Sequence, residues 1–388
     1  MKIGLVLPAF VTGGAERVVL DLAAGFQDDG HSVEVISALR GGDFLETFKV
    51  HGLRIAEFDL HRSFQPLPSW WKKVVEARRV FERHFKTARF DVVHTHLMGP
   101  DIDALVAAQR VKVPVIVHSV HNVYPQYSAR TVMGRIRNSH RRHAWRGYDR
   151  LYAVDEEVRK WIVECRMAAG EKVGVIANGI ELPRFAPPAN RALIRERLGW
   201  GDDERVLLNV GSLTEQKNQA SLVEAISLLT GSTLRTRLAI AGVGPLETQL
   251  GRTVRSCGLD SQVDLLGARN DVPELLSAAD VFVFPSLWEG LPIALLEAMA
   301  SGIPIIASDI PVHRRILGGG RLGVLTSPDP EPLASALRGV FLDPEGSTRR
   351  AHEASSQVRE EYDRGRMAKE YLFEYRRLLS EKTNSVSD

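Results

Sequence analysis

The chain has 388 residues, 44% of them hydrophobic and 25% charged, with a formal net charge of +2; this length predicts two domains, and the composition excludes a disordered or collagen-like chain. Two cysteines, Cys165 and Cys257, exclude a disulfide framework and fit a reducing compartment. No apolar run reaches the roughly 18–20 residues of a spanning helix, and "MKIGLVLPAF" has no small-residue cleavage site, so a cytoplasmic location is expected.

In chain order, "KIGLVLPAF" has the composition of a buried parallel strand, "VTGGAERVVLDLAAGFQDDG" is a glycine turn followed by helical spacing, and "HSVEVIS" is the next strand. "DVVHTH" (91–96), "VPVIVHSVH" (113–121), "RLYAVDEEVRKWIVE" and "KVGVIANG" continue the alternation. At 182–190, "LPRFAPPAN" interrupts it with three prolines, which exclude regular structure and stiffen a linker. Alternation restarts with "RVLLNVGSL" and runs to "IPIIASD". The pattern predicts an α/β fold of two doubly wound parallel sheets, with ligands beyond the carboxyl ends of the strands. The expected domains are 1–183 and 184–365, followed at 366–388 by an amphipathic helix and a frayed tail.

Charge is uneven, with a net +5 over residues 1–183 and −3 over the remainder. Segments 72–89 and 135–150 concentrate the positive charge, a net +5 in each. Two readings fit: solvated helix faces, or attraction to anionic lipid, with Trp70 and Trp71 as interfacial anchors, or to a phosphorylated partner. No aromatic stacking platform accompanies the basic residues, so nucleic acid is not an expected partner.

The stretch "FPSLWEGLPIALLEAMASGIPIIASD" places Glu289 and Glu297 eight positions apart in an otherwise apolar segment. Pro292 suits the first turn of a helix ending near Gly302. Gly290 and Leu291 then stand at its N-terminus, where amides and the dipole favour an anion such as phosphate. A diphosphate on the amides, with one carboxylate on a sugar and one on a ribose, would match a nucleotide-sugar. A helix-terminal Glu and an ordinary helical Glu explain the spacing equally. Lys217, in "NVGSLTEQKN", lies at a strand–helix turn and can reach a phosphate. Gly13 and Gly14 permit close backbone approach but lack a dinucleotide fingerprint.

Together, "GGAERVV", "DVVHTH", "VIANGIE", "GSLTEQKN" and "WEGLPIALLEAMASGIPIIASD" resemble the retaining family-4 glycosyltransferases of the GT-B fold, across nearly the whole chain. The resemblance implies two Rossmann-like domains facing across a cleft, the N-terminal one for the acceptor and the C-terminal one for a nucleoside-diphosphate sugar. It implies transfer with retained configuration, no cofactor and no essential metal. It places Glu289 near the donor sugar's hydroxyls, gives the amides of Gly290 and Leu291 to the diphosphate, and puts Glu297 on the ribose. Lys217 then neutralises the leaving diphosphate, Gly13 and Gly14 face the donor phosphates and acceptor, and His121 contacts the donor sugar. Two positions depart from the family pattern. Ser212 stands where many members carry an arginine, which Arg269 or Arg17 would have to replace, and Asp155 stands where serine is common.

His94 and His96 share one face of a strand end, half of a metal site for which no further ligands appear at convincing spacing. The "DID" at 101–103 mimics a metal-binding motif, but it opens a helical stretch, so Asp101 is read as a helix N-terminal residue. The leading expectation is transfer from a UDP- or GDP-sugar to a glycan or lipid-linked glycan, with peripheral contact to an anionic membrane. The rivals are a GT-B enzyme with a small soluble acceptor, an epimerase, or a non-catalytic glycan- or nucleotide-binding scaffold.

Overall fold

The structure, a computed structural model, describes residues 1–60, 67–124, 132–186, 190–229 and 235–385. It comprises two parallel sheets, each in its own compact unit: Met1–Gly179 with Arg364–Asp388, and Ile180–Asp363.

The first unit runs β1 (Lys2–Leu7), α1 (Gly14–Asp28), β2 (Ser32–Ser37), α2 (Leu45–Val50), β3 (Arg54–Glu57), α3 (Leu67–Ala88), β4 (Val92–His96), α4 (Asp101–Arg110), β5 (Val115–Val120), α5 (Val132–Trp145), β6 (Arg150–Ala153), α6 (Glu156–Glu164) and β7 (Val173–Val175). The strands lie in the order β3-β2-β1-β4-β5-β6-β7, every pair parallel. Ile3 pairs with Val33 on one side and Val92 on the other, so the winding reverses between β1 and β4. β4 and β5 are buried along their whole length, as strands covered on both faces must be. The sequence pattern did not disclose α2 and β3. β3 reads "RIAE" at the sheet edge and is largely half-buried, so it lacks the apolar run that marks the central strands.

The second unit runs α7 (Arg191–Leu198), β8 (Arg205–Val210), α8 (Gln219–Ser227), β9 (Thr236–Ala241), α9 (Glu247–Ser256), β10 (Val263–Gly267), α10 (Val272–Ala278), β11 (Val281–Phe284), α11 (Ile293–Ser301), β12 (Ile305–Ser308), α12 (Pro311–Ile316), β13 (Val324–Thr326), α13 (Pro330–Leu342) and α14 (Pro344–Glu361). Its parallel order is β10-β9-β8-β11-β12-β13, reversing between β8 and β11. The core lies between sheet and helices and includes Leu207, Ile226, Ile240, Val283, Ile306 and Leu337.

The units divide at Gly179/Ile180 and Asp363/Arg364, against expected boundaries at 183/184 and 365/366. Pro183 lies in a 3-10 turn, Leu182–Phe185, that already belongs to the second unit, while 187–189 lie outside the described residues. The last helix, α15 (Arg364–Ser385), is longer than expected and packs into the first unit rather than forming a separate tail. Its Ala368, Tyr371, Leu372 and Tyr375 are buried at helical spacing, and the helix packs along α1. The approach is close enough that a Cβ at Gly25 would stand 2.8 Å from Ala368 Cβ, so α1 carries a glycine there. Among the described residues no helix is long and apolar enough to cross a membrane.

Candidate active site

In the second unit, the chain leaves β8 through Gly211–Thr214 into a 3-10 turn, Glu215–Lys217, before α8. The loop after β9 locks this segment from the side. A Cβ at Gly242 would stand 2.0 Å from Gly211 O, and one at Gly244 2.4 Å from Leu213 O. Only glycine allows the two backbones so close. The "GVG" at 242–244 is the signal in the sequence for this close approach.

Lys217, so placed, has Nζ 2.5 Å from Glu289 Oε1 and 4.8 Å from the Phe284 ring centroid. Gln216 Nε2 donates to Glu289 Oε2 at 3.0 Å and to Trp288 O at 2.8 Å. Both charges are largely buried, Lys217 15% and Glu289 5% exposed. Desolvation offsets much of the attraction in such a pair, so it is poor evidence of a stability role and a reasonable mark of a functional one.

Glu289 leads through Gly290, Leu291 and Pro292 into α11, whose first residue is Ile293. The amides of Gly290 and Leu291 precede the helix, which starts one residue after the expected 292, with Pro292 as its N-cap. Glu297, the fifth helical residue, is buried in the helix. Ser212 is exposed in the loop leading to Lys217, and its carbonyl accepts from Gln219 Nε2. Neither suggested substitute cation is uncommitted: Arg269 Nε lies 2.8 Å from Asp271 Oδ1, and Arg17 pairs with Asp21 at 3.3 Å.

His313 of α12 was not foreseen. Its Nδ1 lies 2.9 Å from Ser308 O, and its Nε2 is buried without a partner among the described residues. Burial lowers its pKa to about 4, with Glu289 opposing the shift and Lys217 adding to it, which sets the imidazole in the field of the ion pair. A lone histidine in "IPVHRRI" gives no sign of this.

In the first unit, Gly13 is the extended N-cap of α1 and Gly14 its first residue. A Cβ at Gly13 would stand 2.4 Å from Glu16 Oε2, so the glycine makes room for that carboxylate. Burial raises the Glu16 pKa to about 7. His121 follows the carboxyl end of β5, its Nε2 3.0 Å from His96 Nδ1. Its Nδ1 is buried without a partner among the described residues, and burial lowers its pKa to about 3, so the ring is neutral near pH 7. His94 uses both ring nitrogens in hydrogen bonds, to Tyr375 OH at 2.6 Å and Ser119 Oγ at 2.7 Å. Ser119 Oγ also meets Tyr371 OH at 2.8 Å, so this network joins α15 to the sheet.

Asp101 begins α4, and its carboxylate accepts from Arg141, Trp145 Nε1 and Gly99 N at 2.6, 3.2 and 2.9 Å. Asp103 accepts from Arg78 Nε at 3.2 Å. The "DID" thus ties α4 to α3 and α5. Among the described residues no group of three or more His, Cys, Asp or Glu is placed to hold a metal ion. Asp155 caps α6, accepting from Glu157 N at 2.7 Å. α3 and α5, which carry the basic segments, flank α4 in one layer, and Lys72, Arg79, Arg83 and Lys86 are exposed at helical spacing. The side chains of Trp70, Trp71, Arg135 and Arg137 lie outside the described residues.

The fold agrees with comparison to known proteins. Residues 12–184 match the family model described as Glycosyltransferase Family 4, and residues 190–358 match Glycosyl transferases group 1. An Escherichia coli UDP-Gal:alpha-D-GlcNAc-diphosphoundecaprenol alpha-1,3-galactosyltransferase is 34% identical over 58% of this chain and 59% of its own length. A phosphatidyl-myo-inositol mannosyltransferase of Mycolicibacterium smegmatis is 28% identical over 88% of this chain and 85% of its own. The crystal structure of Anabaena HepE in complex with UDP and glucose superposes with a TM-score of 0.82 at 19% identity, over 96% of this chain and 98% of that one. With both family models matched in sequence order and both sheets in place, the chain belongs to the family-4, group 1 glycosyltransferases of the GT-B fold.

Proposed function

We propose that the protein transfers a sugar from a nucleoside-diphosphate donor, UDP in preference to GDP, to a glycan or lipid-linked glycan, with retention of configuration and without an essential metal. Cell-surface polysaccharide or glycolipid synthesis at the cytoplasmic face of a membrane is the setting this reading implies. The observation that carries it is the buried Lys217–Glu289 pair just ahead of the N-terminus of α11. Breaking the bond from the sugar's C1 to the diphosphate leaves negative charge on the departing oxygen, which Lys217 and the α11 dipole stabilise. The acceptor oxygen bonds to C1 on the face the diphosphate leaves, and its proton passes to the departing phosphate oxygen. No protein nucleophile is required. A diphosphate arriving at Lys217 competes with Glu289, whose carboxylate then serves the sugar hydroxyls. Glu297 takes the ribose, Gly13 and Gly14 give backbone room to phosphates and acceptor, and neutral His121 contacts the donor sugar.

The E. coli relative, whose name specifies UDP-Gal and a diphosphoundecaprenol acceptor, supports the UDP and lipid-linked preference. The exposed Lys72, Arg79, Arg83 and Lys86 on α3 support contact with anionic lipid, each adding on the order of 1 kcal/mol. The test is nucleotide release from UDP- and GDP-sugars with a polyprenyl-diphosphate-sugar acceptor, with and without EDTA, and the product's anomeric configuration read by NMR. UDP release that depends on the acceptor, is unchanged by EDTA and gives a retained linkage is expected. Failure to turn over any donor would leave a non-catalytic scaffold.

A further inference from the structure

At the amino-terminal edge of the first unit's sheet, opposite the edge that carries Gly13 and His121, a pocket of about 490 Å³ opens where α5 and α6 end and β6 and β7 begin. Arg142, Arg146, Arg166 and Lys172 line it. None of the three arginines makes an ion pair or side-chain hydrogen bond among the described residues, and Arg142 Nε is buried with no partner. Lys172 Nζ donates to Arg146 O at 2.7 Å and Tyr148 O at 2.9 Å, so carbonyls hold it and no carboxylate among the described residues neutralises it. Glu171 is the one acidic residue of the lining, and no ion pair joins it to these cations among the described residues. The neighbouring Arg141 and Arg159 pair with Asp101 and Glu156 at 2.6 and 3.1 Å.

The negative end of a helix dipole accounts for a cation near each helix terminus. It does not account for three unpaired guanidinium groups around one pocket, whose mutual repulsion an anion would relieve. Arg166 adds a second oddity. It holds the left-handed position (φ 52°) after α6, where Arg166 N bonds Val163 O and Met167 N bonds Ile162 O, a helix ending that favours glycine. The chain keeps an arginine where glycine would be less strained.

We propose that this pocket is an anion site for a phosphate or diphosphate group, separate from the site around Lys217. Guanidinium groups suit the purpose because their planar donors bind two phosphate oxygens at once. The test is calorimetric titration of the full chain with inorganic pyrophosphate, in the wild type and in a Lys217→Ala background that weakens diphosphate binding at the other site. The double variant R142Q/R166Q is expected to weaken pyrophosphate binding by about tenfold or more in both backgrounds, with UDP affinity unchanged. Arg166→Gly removes one cation while relieving the left-handed backbone, so its loss of binding would not reflect misfolding. Undiminished pyrophosphate affinity in these variants, or no binding to the Lys217→Ala chain, overturns the proposal. Vesicles of phosphatidylglycerol compared with phosphatidylcholine identify the source. Loss of phosphatidylglycerol binding in R142Q/R166Q assigns the phosphate to a lipid headgroup, and unchanged vesicle binding assigns it to a soluble phosphate compound.

Discussion

Lys217 Nζ lies 2.5 Å from Glu289 Oε1, so a cation on the loop after β8 and a carboxylate on the loop after β11 neutralise one another across the switch point of the second sheet. Because Arg269 and Arg17 are bound to their own carboxylates, Lys217 is the cation that the proposed chemistry depends on. Lys217→Ala is therefore expected to lower kcat by about 10²-fold or more, the scale of losing one oxyanion donor. Turnover near the wild-type value, measured by UDP release, would show that another group neutralises the diphosphate.

The two glutamates of the segment should separate in binding experiments. Glu297→Ala is expected to weaken free UDP by roughly 1.5–3 kcal/mol, the worth of a hydrogen bond to a charged group. Glu289→Gln leaves Lys217 without its competing carboxylate, so UDP affinity should be kept or increased while transfer falls. Calorimetry with UDP alone checks this, and equal losses in both variants would refute the division of roles.

Glu16 should make the first unit less stable in alkali. Its folded pKa, raised by burial to about 7 from 4.5, lies above the unfolded value, so the folded state holds the proton more tightly. The stabilising contribution is complete below about pH 4.5 and is lost as pH rises through about 7, a change on the order of 3 kcal/mol. Glu16→Gln should remove this slope and be the more stable form at pH 8. Urea unfolding of both proteins at pH 5 and pH 8 measures it, and parallel behaviour of the two would count against a buried neutral carboxyl at this position.

The histidines of the same unit act in the opposite sense. Burial lowers His94 and His96 well below 6.5, His118 to about 4 and His121 to about 3. A depressed base stabilises the fold above its unfolded pKa of 6.5, and that stability is lost as pH falls through the folded values. Their ring resonances should stay fixed from pH 8 to about 5.5 in NMR, with acid unfolding of the first unit below that range. Titration of any of the four near 6.5 would show that its ring is hydrated and not buried as described.

Much of the second unit was legible because its strands are continuous apolar runs and its turns carry glycine or proline. Pro285 after "VFVF" and Pro292 before "IALLEAMAS" placed the end of β11 and the start of α11 to within a residue. The Lys217–Glu289 contact was not legible from spacing, since 72 positions separate the partners and no periodicity links them. Only the family resemblance brought them together. His313 and Glu16 escaped notice because their perturbation comes from burial by elements distant in sequence. The proline cluster misplaced the domain boundary because proline marks irregular backbone, not the place where one core ends. β3 went unseen because an edge strand with charged ends carries little of the pattern that betrays a central one.

The C-terminal helix also bears on how the protein is made. The second unit is one uninterrupted stretch, Ile180–Asp363, whereas the first is completed only by α15. During synthesis the second sheet can close its core while the first still shows the bare flank of α1, with His94 and Ser119 waiting for Tyr375 and Tyr371. A released chain cut before residue 364 would thus hold every element of the C-terminal unit beside an N-terminal one that lacks its last helix, the reverse of the order in which the two are translated.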